Sequence, residues 1–445
     1  MNTRLSIRAV LGVALLATAP GHAKAAVPAT SCAAHASAVL DALVRGDDVA
    51  AGKDFAPSLA AQLDAATLAK VWSTLQAQAG RYVSHGAAQG AYIRDQPVTV
   101  TPVHFAKVPL GMVVQCDGSS RITTLRFAPQ EQLALAIQKS APVPVRAHVE
   151  ADGVRVQPMA VVSPLGPLKG VLTLPPGKGP FPAVVMVAGS GAHDFDETVG
   201  PNKPFRDLAE GLARAGVASL RYDKRPYDYS DWGTKGGYNV DAEVTDDAVT
   251  AAHALSALKA IDPRRVYVLG HSLGAMMAPR IGQRDPQLAG LILLAAPARS
   301  LLDVLIQQFH EQDPPKVATR KIEALRHEQK LLAQATPGQP PRGTFFGQPQ
   351  SYWQSLNDYH QVAVAQSLGM PMLFLQGDAD FQVSPTLDFA VWKRDMAGTP
   401  TATFHLYPGL GHLFMPAAQT GSDYSKPSHV DPRVIRDIAA WIGRR

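Results

Sequence analysis

Three short segments in the C-terminal half of the chain carry residue types that could together perform nucleophilic catalysis. The first, VYVLGHSLGAM over 266–276, sets Ser272 between two glycines after an apolar, β-branched run. A serine hydroxyl is a weak nucleophile at neutral pH; it needs a base to take its proton, and an imidazole base needs an acceptor to hold its ring. Both types follow in order: QGDADFQV over 376–383 offers Asp378 and Asp380, and PGLGHLF over 408–414 offers His412. The Gly-x-x-Asp spacing favours Asp380 as the orienting carboxylate and leaves Asp378 to shape the turn. The competing reading of each segment is bland: a Gly-rich turn, a surface loop, and a structural histidine. His271, His310, His360, His405 and His429 have no comparable placement and are read as structural.

The elements that must position these groups argue against the bland reading. Apolar strands at 183–188, 217–222, 266–269, 290–294, 372–375 and 403–407 alternate with amphipathic helices at 205–215, 242–259, 273–282 and 385–396, and a last helix ends at Trp441 and Ile442. Near-continuous apolar strands alternating with helices predict a mostly parallel sheet covered on both faces, preceded by an antiparallel pair at 154–162 and 168–174. Ser272 then sits between a strand and a helix, and Asp380 and His412 each follow a later strand. A tetrahedral oxyanion needs two donors. The Leu273 N–H at the helix start is one; the Ser190 N–H, in the loop GSGAHDFDE after strand 183–188, is the other.

The insertion 298–368 is too long for a structureless loop and reads as a helical cap, with a helix at 317–332 and a Pro-rich piece at 336–341. Its Phe309, Phe345, Phe346, Tyr352 and Trp353 suit an apolar acyl pocket or, equally, the cap's own core. The cluster Arg221-Tyr-Asp-Lys-Arg225 could hold an acidic substrate; an ion-pair network with Asp194, Asp196 or Glu197 that braces the oxyanion loop is favoured.

At the other end, Arg4 and Arg8 precede an apolar run at 9–19, and Ala23-Lys24-Ala25 fits a signal-peptidase site, so 1–25 reads as an export signal too short to span a bilayer. Its loss removes three cations and no acid, taking the formal net charge of +5 to +2, which gives no reason to bind nucleic acid. Cys32 and Cys116 are the sole cysteines, and in an oxidising compartment they read as a structural disulfide rather than metal ligands. Helices at 33–45 and 59–79, then short strands, make 26–130 a small α+β domain; 131–152 reads as a linker and 153–445 as the catalytic domain. The first domain could contact cell-wall or polysaccharide material.

The ordered set AGSGAHDFDET, NKPFRDLAEGLA, RYDKRPYDYS, GHSLGA, PARSL, SYW, LFLQGDADFQV and YPGLGHLF resembles a family of secreted bacterial esterases of the α/β-hydrolase superfamily, often labelled serine aminopeptidase-like, across nearly all of 154–445. The resemblance implies a doubly wound α/β-hydrolase sheet with a cap, a triad of Ser272, Asp380 and His412, hydrolysis of short-chain carboxylic esters, and neither a metal nor an organic cofactor. Two positions depart from the family: Ala188 stands where a histidine usually precedes Gly189, and Pro226 where glycine is usual. The RITTLRF ending over 121–127 is similar to the small domain preceding the catalytic domain in some of these enzymes. Peptides and acetylated carbohydrates remain open as substrates on the same triad, and a binding protein that kept the fold is the reading outside enzymes.

Overall fold

The computed structural model describes residues 32–93, 96–138, 144–229, 238–333, 344–345, 348–416 and 424–445. The expected export signal, the Pro-rich piece at 336–341 and Phe346 lie outside these residues. The chain divides into two compact units between Pro144 and Val145.

The first unit opens with helices α1 (Ala33–Arg45), α2 (Asp48–Ala51), α3 (Pro57–Ala60) and α4 (Ala65–Ala79). Helix α1 stops where Gly46 turns left-handed, at φ 75°, and returns its N–H to Ala42 and Leu43. The single helix expected over 59–79 is two. Asp64 accepts from the Thr67 N–H at 2.8 Å and starts α4 afresh, because a side-chain cap there competes with continued helix. Strands β1 (Tyr82–His85), β2 (Gln89–Ile93), β3 (Gln96–Phe105), β4 (Pro109–Cys116) and β5 (Ile122–Pro129), helix α5 (Gln130–Ala136) and strand β6 (Ile137–Gln138) follow. They form an antiparallel sheet ordered β5-β4-β3-β2-β6, with β1 also paired to β3. Strand β2, whose QGAYI lacks apolar alternation, is absent from the sequence reading. Leu40, Leu43, Leu68 and Leu75 pack on Met112, Val114 and Leu125, and the Trp72 ring lies 5.6 Å from Phe105 and 5.9 Å from Tyr82. Cys32 and Cys116 are joined across 84 residues of sequence, with their Cα atoms 6.0 Å apart. The expected linker is partly structured: α5 and β6 belong to this unit, and β7 (His148–Val149) pairs in the second unit's sheet.

The second unit continues with β8 (Arg155–Pro158), the hairpin β9 (Val161–Ser163) and β10 (Gly166–Leu168), β11 (Gly170–Leu174), β12 (Phe181–Val187), α6 (Pro204–Arg214), β13 (Ala218–Tyr222) and α7 (Arg225–Asp228). A π-turn (Asp241–Thr245) leads into α8 (Asp246–Ser256), then β14 (Ile261–His271), α9 (Leu273–Arg284) and β15 (Gly290–Leu294). The cap supplies α10 (Leu301–Gln312), α11 (Pro315–Ala333), β16 (Thr344–Phe345), β17 (Gln348–Pro349), α12 (Gln350–Asn357) and α13 (Gln361–Ser367). Strand β18 (Met372–Gly377), a π-turn (Pro385–Phe389), α14 (Ala390–Asp395), β19 (Ala402–Tyr407) and α15 (Pro432–Gly443) complete it.

The sheet runs β19-β18-β15-β14-β12-β13-β11-β8-β7, parallel from β19 through β13 and antiparallel beyond. This is the doubly wound α/β-hydrolase arrangement. Alternate residues of each strand feed opposite cores. Val185, Val268 and Phe374 face α8, α9 and α14, whereas Met186, Leu269 and Leu375 face α6 and α15. Register decides which loops become neighbours: Val187 stands opposite Gly270, and Gly377 opposite Tyr407. The loops carrying Ser190 and Ser272 therefore leave adjacent strands, as do those carrying Asp380 and His412.

Helix α9 lies so close to β12 that a Cβ on Gly274 would collide with the Val187 carbonyl oxygen, and one on Gly270 with the Gly274 carbonyl. Gly274→Ala should therefore cost about 1–3 kcal/mol of folding stability. An unchanged denaturation midpoint would show that the helix can move away freely.

Candidate functional site

The turn between β14 and α9 leaves Ser272 at φ 53° and ψ −116°, a backbone conformation that costs a non-glycine residue roughly 1–3 kcal/mol. Its N–H donates to the Leu294 carbonyl at 2.9 Å and its own carbonyl accepts from Met276, so sheet and helix together hold the strained geometry. Ser272 is partly exposed although its neighbours His271 and Leu273 are buried. Leu273 opens α9, where first-turn N–H groups lack intrahelical acceptors and the helix dipole is positive.

Asp380 and His412 meet directly: the His412 Nδ1 lies 2.8 Å from Asp380 Oδ2, and both side chains are buried. Asp380 also accepts from the Gln376 side-chain amide at 2.9 Å and from the N–H groups of Gln382 at 2.8 Å and Val383 at 3.0 Å. Burial alone would raise the Asp380 pKa; the His412 charge and these donors outweigh it and hold the carboxyl below its ordinary value. Asp378 sits apart, with its Oδ1 accepting from the Gly409 N–H at 2.7 Å, which braces the turn before His412.

The loop after β12 is held at three backbone atoms. Gly189 N–H donates to Glu197 Oε1 at 2.6 Å, the Gly189 carbonyl accepts from Lys224 Nζ at 2.6 Å, and the Ser190 carbonyl lies 2.8 Å from His193 Nε2. Gly189 is wedged: a Cβ there would stand 3.0 Å from Glu197 Oε1 and 3.2 Å from the Ser272 Cβ. Ser190 itself is exposed.

His271, read as structural, links three loops. Its Nδ1 lies 2.9 Å from Glu197 Oε1, its Nε2 lies 2.9 Å from the main-chain oxygen of His412, and the two imidazole rings are 4.7 Å apart. Burial would lower the His271 pKa, yet the Glu197 carboxylate more than compensates and raises it; the same pairing holds Glu197 below its ordinary value against burial. His271 thus ties together the Ser272 turn, the loop after β12 and the His412 loop. Nothing in the spacing marks Glu197 as its partner, because the contact spans 74 residues.

The basic cluster forms ion pairs, with partners that differ from the expected set. Arg221 binds Asp196 at 2.8 Å, as expected, but Lys224 binds Glu243 at 2.6 Å and Arg225 binds Asp247 at 2.6 Å, while Asp194 accepts from Thr198. Asp223 accepts from the Phe195 N–H at 2.6 Å, and burial beside Asp228 pushes its carboxyl up to about 9. In the cap, Tyr352 and Trp353 are buried in the core cluster and meet edge to face at 5.6 Å, and Phe309 is partly buried against the same cluster. Phe345 lies in the short strand β16. Cap helix α10 reaches the aspartate loop: Gln308 donates to the Gln382 carbonyl at 2.9 Å and Gln312 to that of Phe381 at 3.2 Å. His429 and His405 sit beside Asp207 and Asp437, away from these groups. Among the described residues no cluster of His, Cys, Asp and Glu suited to a metal ion occurs, and no helix is long and apolar enough to cross a membrane.

A nucleophile turn, a His–Asp pair and a braced backbone loop on one edge of such a sheet suit acyl transfer. Residues 202–416 match the family model described as serine aminopeptidase, S33. Esterase EstD of Thermotoga maritima is 32% identical over 384 residues, covering 86% of this chain and 88% of EstD. Esterase FrsA of Klebsiella pneumoniae is 28% identical over 34% of this chain and 33% of its own. Among solved structures, Est1E from Butyrivibrio proteoclasticus aligns over 65% of this chain and 99% of its own, at 14% identity and a TM-score of 0.43. From its match to EstD over most of both chains, the protein belongs to the serine-aminopeptidase-like esterase family of the α/β-hydrolase superfamily and is a hydrolase.

Proposed function

We propose that the protein is a serine carboxylic-ester hydrolase that acts through an acyl-enzyme on Ser272. The observation that carries this reading is the buried 2.8 Å contact between Asp380 and His412, on loops from adjacent parallel strands beyond the strained Ser272 turn. His412 takes the Ser272 proton as the hydroxyl attacks the ester carbonyl, then delivers it to the leaving alkoxide. Asp380 fixes the imidazole tautomer and stabilises the imidazolium. The Leu273 and Ser190 N–H groups receive the oxyanion, and water attacks the acyl-enzyme by the same path in reverse.

Short-chain acyl esters are the proposed substrates, supported by the esterase names of the two curated relatives and by the apolar cap. An aminopeptidase would need a free carboxylate to hold the substrate's terminal amine. The buried carboxylates around the Gly189 loop, Glu197 and Glu243, are instead each paired with a cation or imidazole of the protein. We further propose export with cleavage after Ala25, which would place the Cys32–Cys116 bridge in an oxidising compartment.

Ser272→Ala should abolish turnover across a panel of acyl esters, acetylated sugars and aminoacyl amides, with short acyl esters preferred by the native protein. Full activity in the variant would sink the mechanism, and a preference for aminoacyl amides would overturn the ester assignment. Burial would raise the Asp380 carboxyl, but His412 and the backbone donors hold it below its ordinary value, so it keeps its charge to lower pH than a free carboxylate does. The acid limb of kcat/KM should then report a single ionisation, with activity lost as pH falls; a limb of slope two would contradict this. Asp380→Asn should lower kcat by roughly four orders of magnitude by favouring the wrong tautomer. For export, protein recovered from the periplasm should begin at Ala26 and show no titratable thiol, and an intact leader or two free thiols would refute the proposal.

A further inference from the structure

In the loop that would supply the second oxyanion donor, Glu197 and His193 hold the Gly189 N–H and the Ser190 carbonyl, whereas the Gly189 carbonyl takes its partner from outside the loop. Ala188 offers a buried methyl and Gly189 offers nothing, yet the direction of the Ser190 N–H must be fixed before substrate arrives if it is to stabilise charge without reorganisation. The outside partner is Lys224. Its ammonium is 4% exposed and spans the Gly189 carbonyl and Glu243 Oε1, at 2.6 Å each. In a planar trans peptide the C=O of one residue and the N–H of the next point in opposite directions. An ammonium fixed on the Gly189 carbonyl therefore sets where the Ser190 N–H points.

We propose that Lys224 is a positioning residue of the oxyanion hole, acting through the Gly189–Ser190 peptide bond. The proposal rests on the triad reading above. Orientation is half of its role. A cation on a carbonyl oxygen draws electron density from the amide and makes the attached N–H a stronger donor, and the effect is larger in a buried site. The other backbone atoms of the loop are taken: Gly189 N–H by Glu197, and the Ser190 carbonyl by His193. Among the described residues nothing accepts from the Ser190 N–H, so the peptide that Lys224 polarises ends in a free donor, next to a Gly189 whose Cβ position would stand 3.2 Å from the Ser272 Cβ. Glu243 makes the arrangement tolerable. Burying an ammonium without a counter-charge would be costly, and Glu243 arrives on the π-turn ahead of α8, a local widening of the helix often found at functional sites.

The distinguishing measurement compares an oxygen ester with its thionoester. Sulfur accepts hydrogen bonds weakly, so thionoester hydrolysis gains little from oxyanion donors. Lys224→Met should lower kcat for the oxygen ester about 10–100-fold with KM nearly unchanged, lower thionoester turnover much less, and so reduce the rate ratio of the two by about tenfold. Lys224→Arg, which keeps the charge, should recover part of that ratio. An equal fall for both substrates, or an unchanged oxygen-ester kcat, would overturn the proposal. The double variant Lys224→Met/Glu243→Gln leaves no unpaired buried carboxylate and is read in the same way should the single variant fail to fold. Ser272→Ala separates the two levels: activity in that variant removes the triad reading, whereas an inactive Ser272→Ala beside an unchanged ratio in Lys224→Met removes only the role of Lys224.

Discussion

Helix α9 approaches strand β12 so closely that no Cβ fits at Gly274, and much else depends on it. Positions 270 and 274 carry no Cβ, so the helix can start directly beneath the end of the neighbouring strand. That proximity forces the chain through a sharp turn and leaves Ser272 at positive φ. A side chain at either glycine would push the helix outward and relax the turn. The strain is sustained because both flanking elements bury their apolar side chains: Val268 and Leu269 in the strand, and Met276, Met277 and Ile281 in the helix. Their packing outweighs the local cost.

Around this turn the protein concentrates ionisable groups that are nearly dry and mutually compensated. Glu197 pairs with His271, Lys224 with Glu243, Arg221 with Asp196, and Arg225 with Asp247. Such pairs contribute little net stability, since desolvation offsets attraction, but removing one partner is expensive. Their consequence is geometric: each pair ties a loop to an element far away in sequence. Glu197, itself at φ 51°, holds the Gly189 N–H with the same oxygen that receives His271. The cap is tethered in a similar way, because Asp388 accepts from the backbone N–H groups of Ala298 and Arg299 and from the Arg299 guanidinium.

The two units use different means to reach a core. The first packs helices α1 to α5 on an antiparallel sheet, with Trp72 amid aromatic rings and a covalent tie between the N-cap of α1 and β4. A unit of this size buries a modest fraction of its surface, and a cross-link that shortens the unfolded ensemble helps it most. The second buries both faces of a wide parallel sheet and carries its polar groups in loops at one edge, which is where open α/β sheets gather ligands.

Local chemistry made much of this legible in the sequence. Apolar periodicity is imposed by burial on both sheet faces, so the parallel strands of the second unit, most of the helices that cover them and the order of Ser272, Asp380 and His412 could be read directly. Helix α1 could be read to the residue, because Gly46 is a local stop signal. The break at Asp64, strand β2 and the π-turn before α8 could not, because capping, edge pairing and helix widening depend on neighbours contributed from elsewhere. Only the tertiary structure decided the ion-pair partners. The sequence shows that Arg221, Lys224, Arg225, Asp194, Asp196 and Glu197 are charged, but matching them requires knowing which strand ends lie side by side. Lys224 consequently met Glu243 and Glu197 met His271, contacts that arise from sheet order rather than from any spacing along the chain.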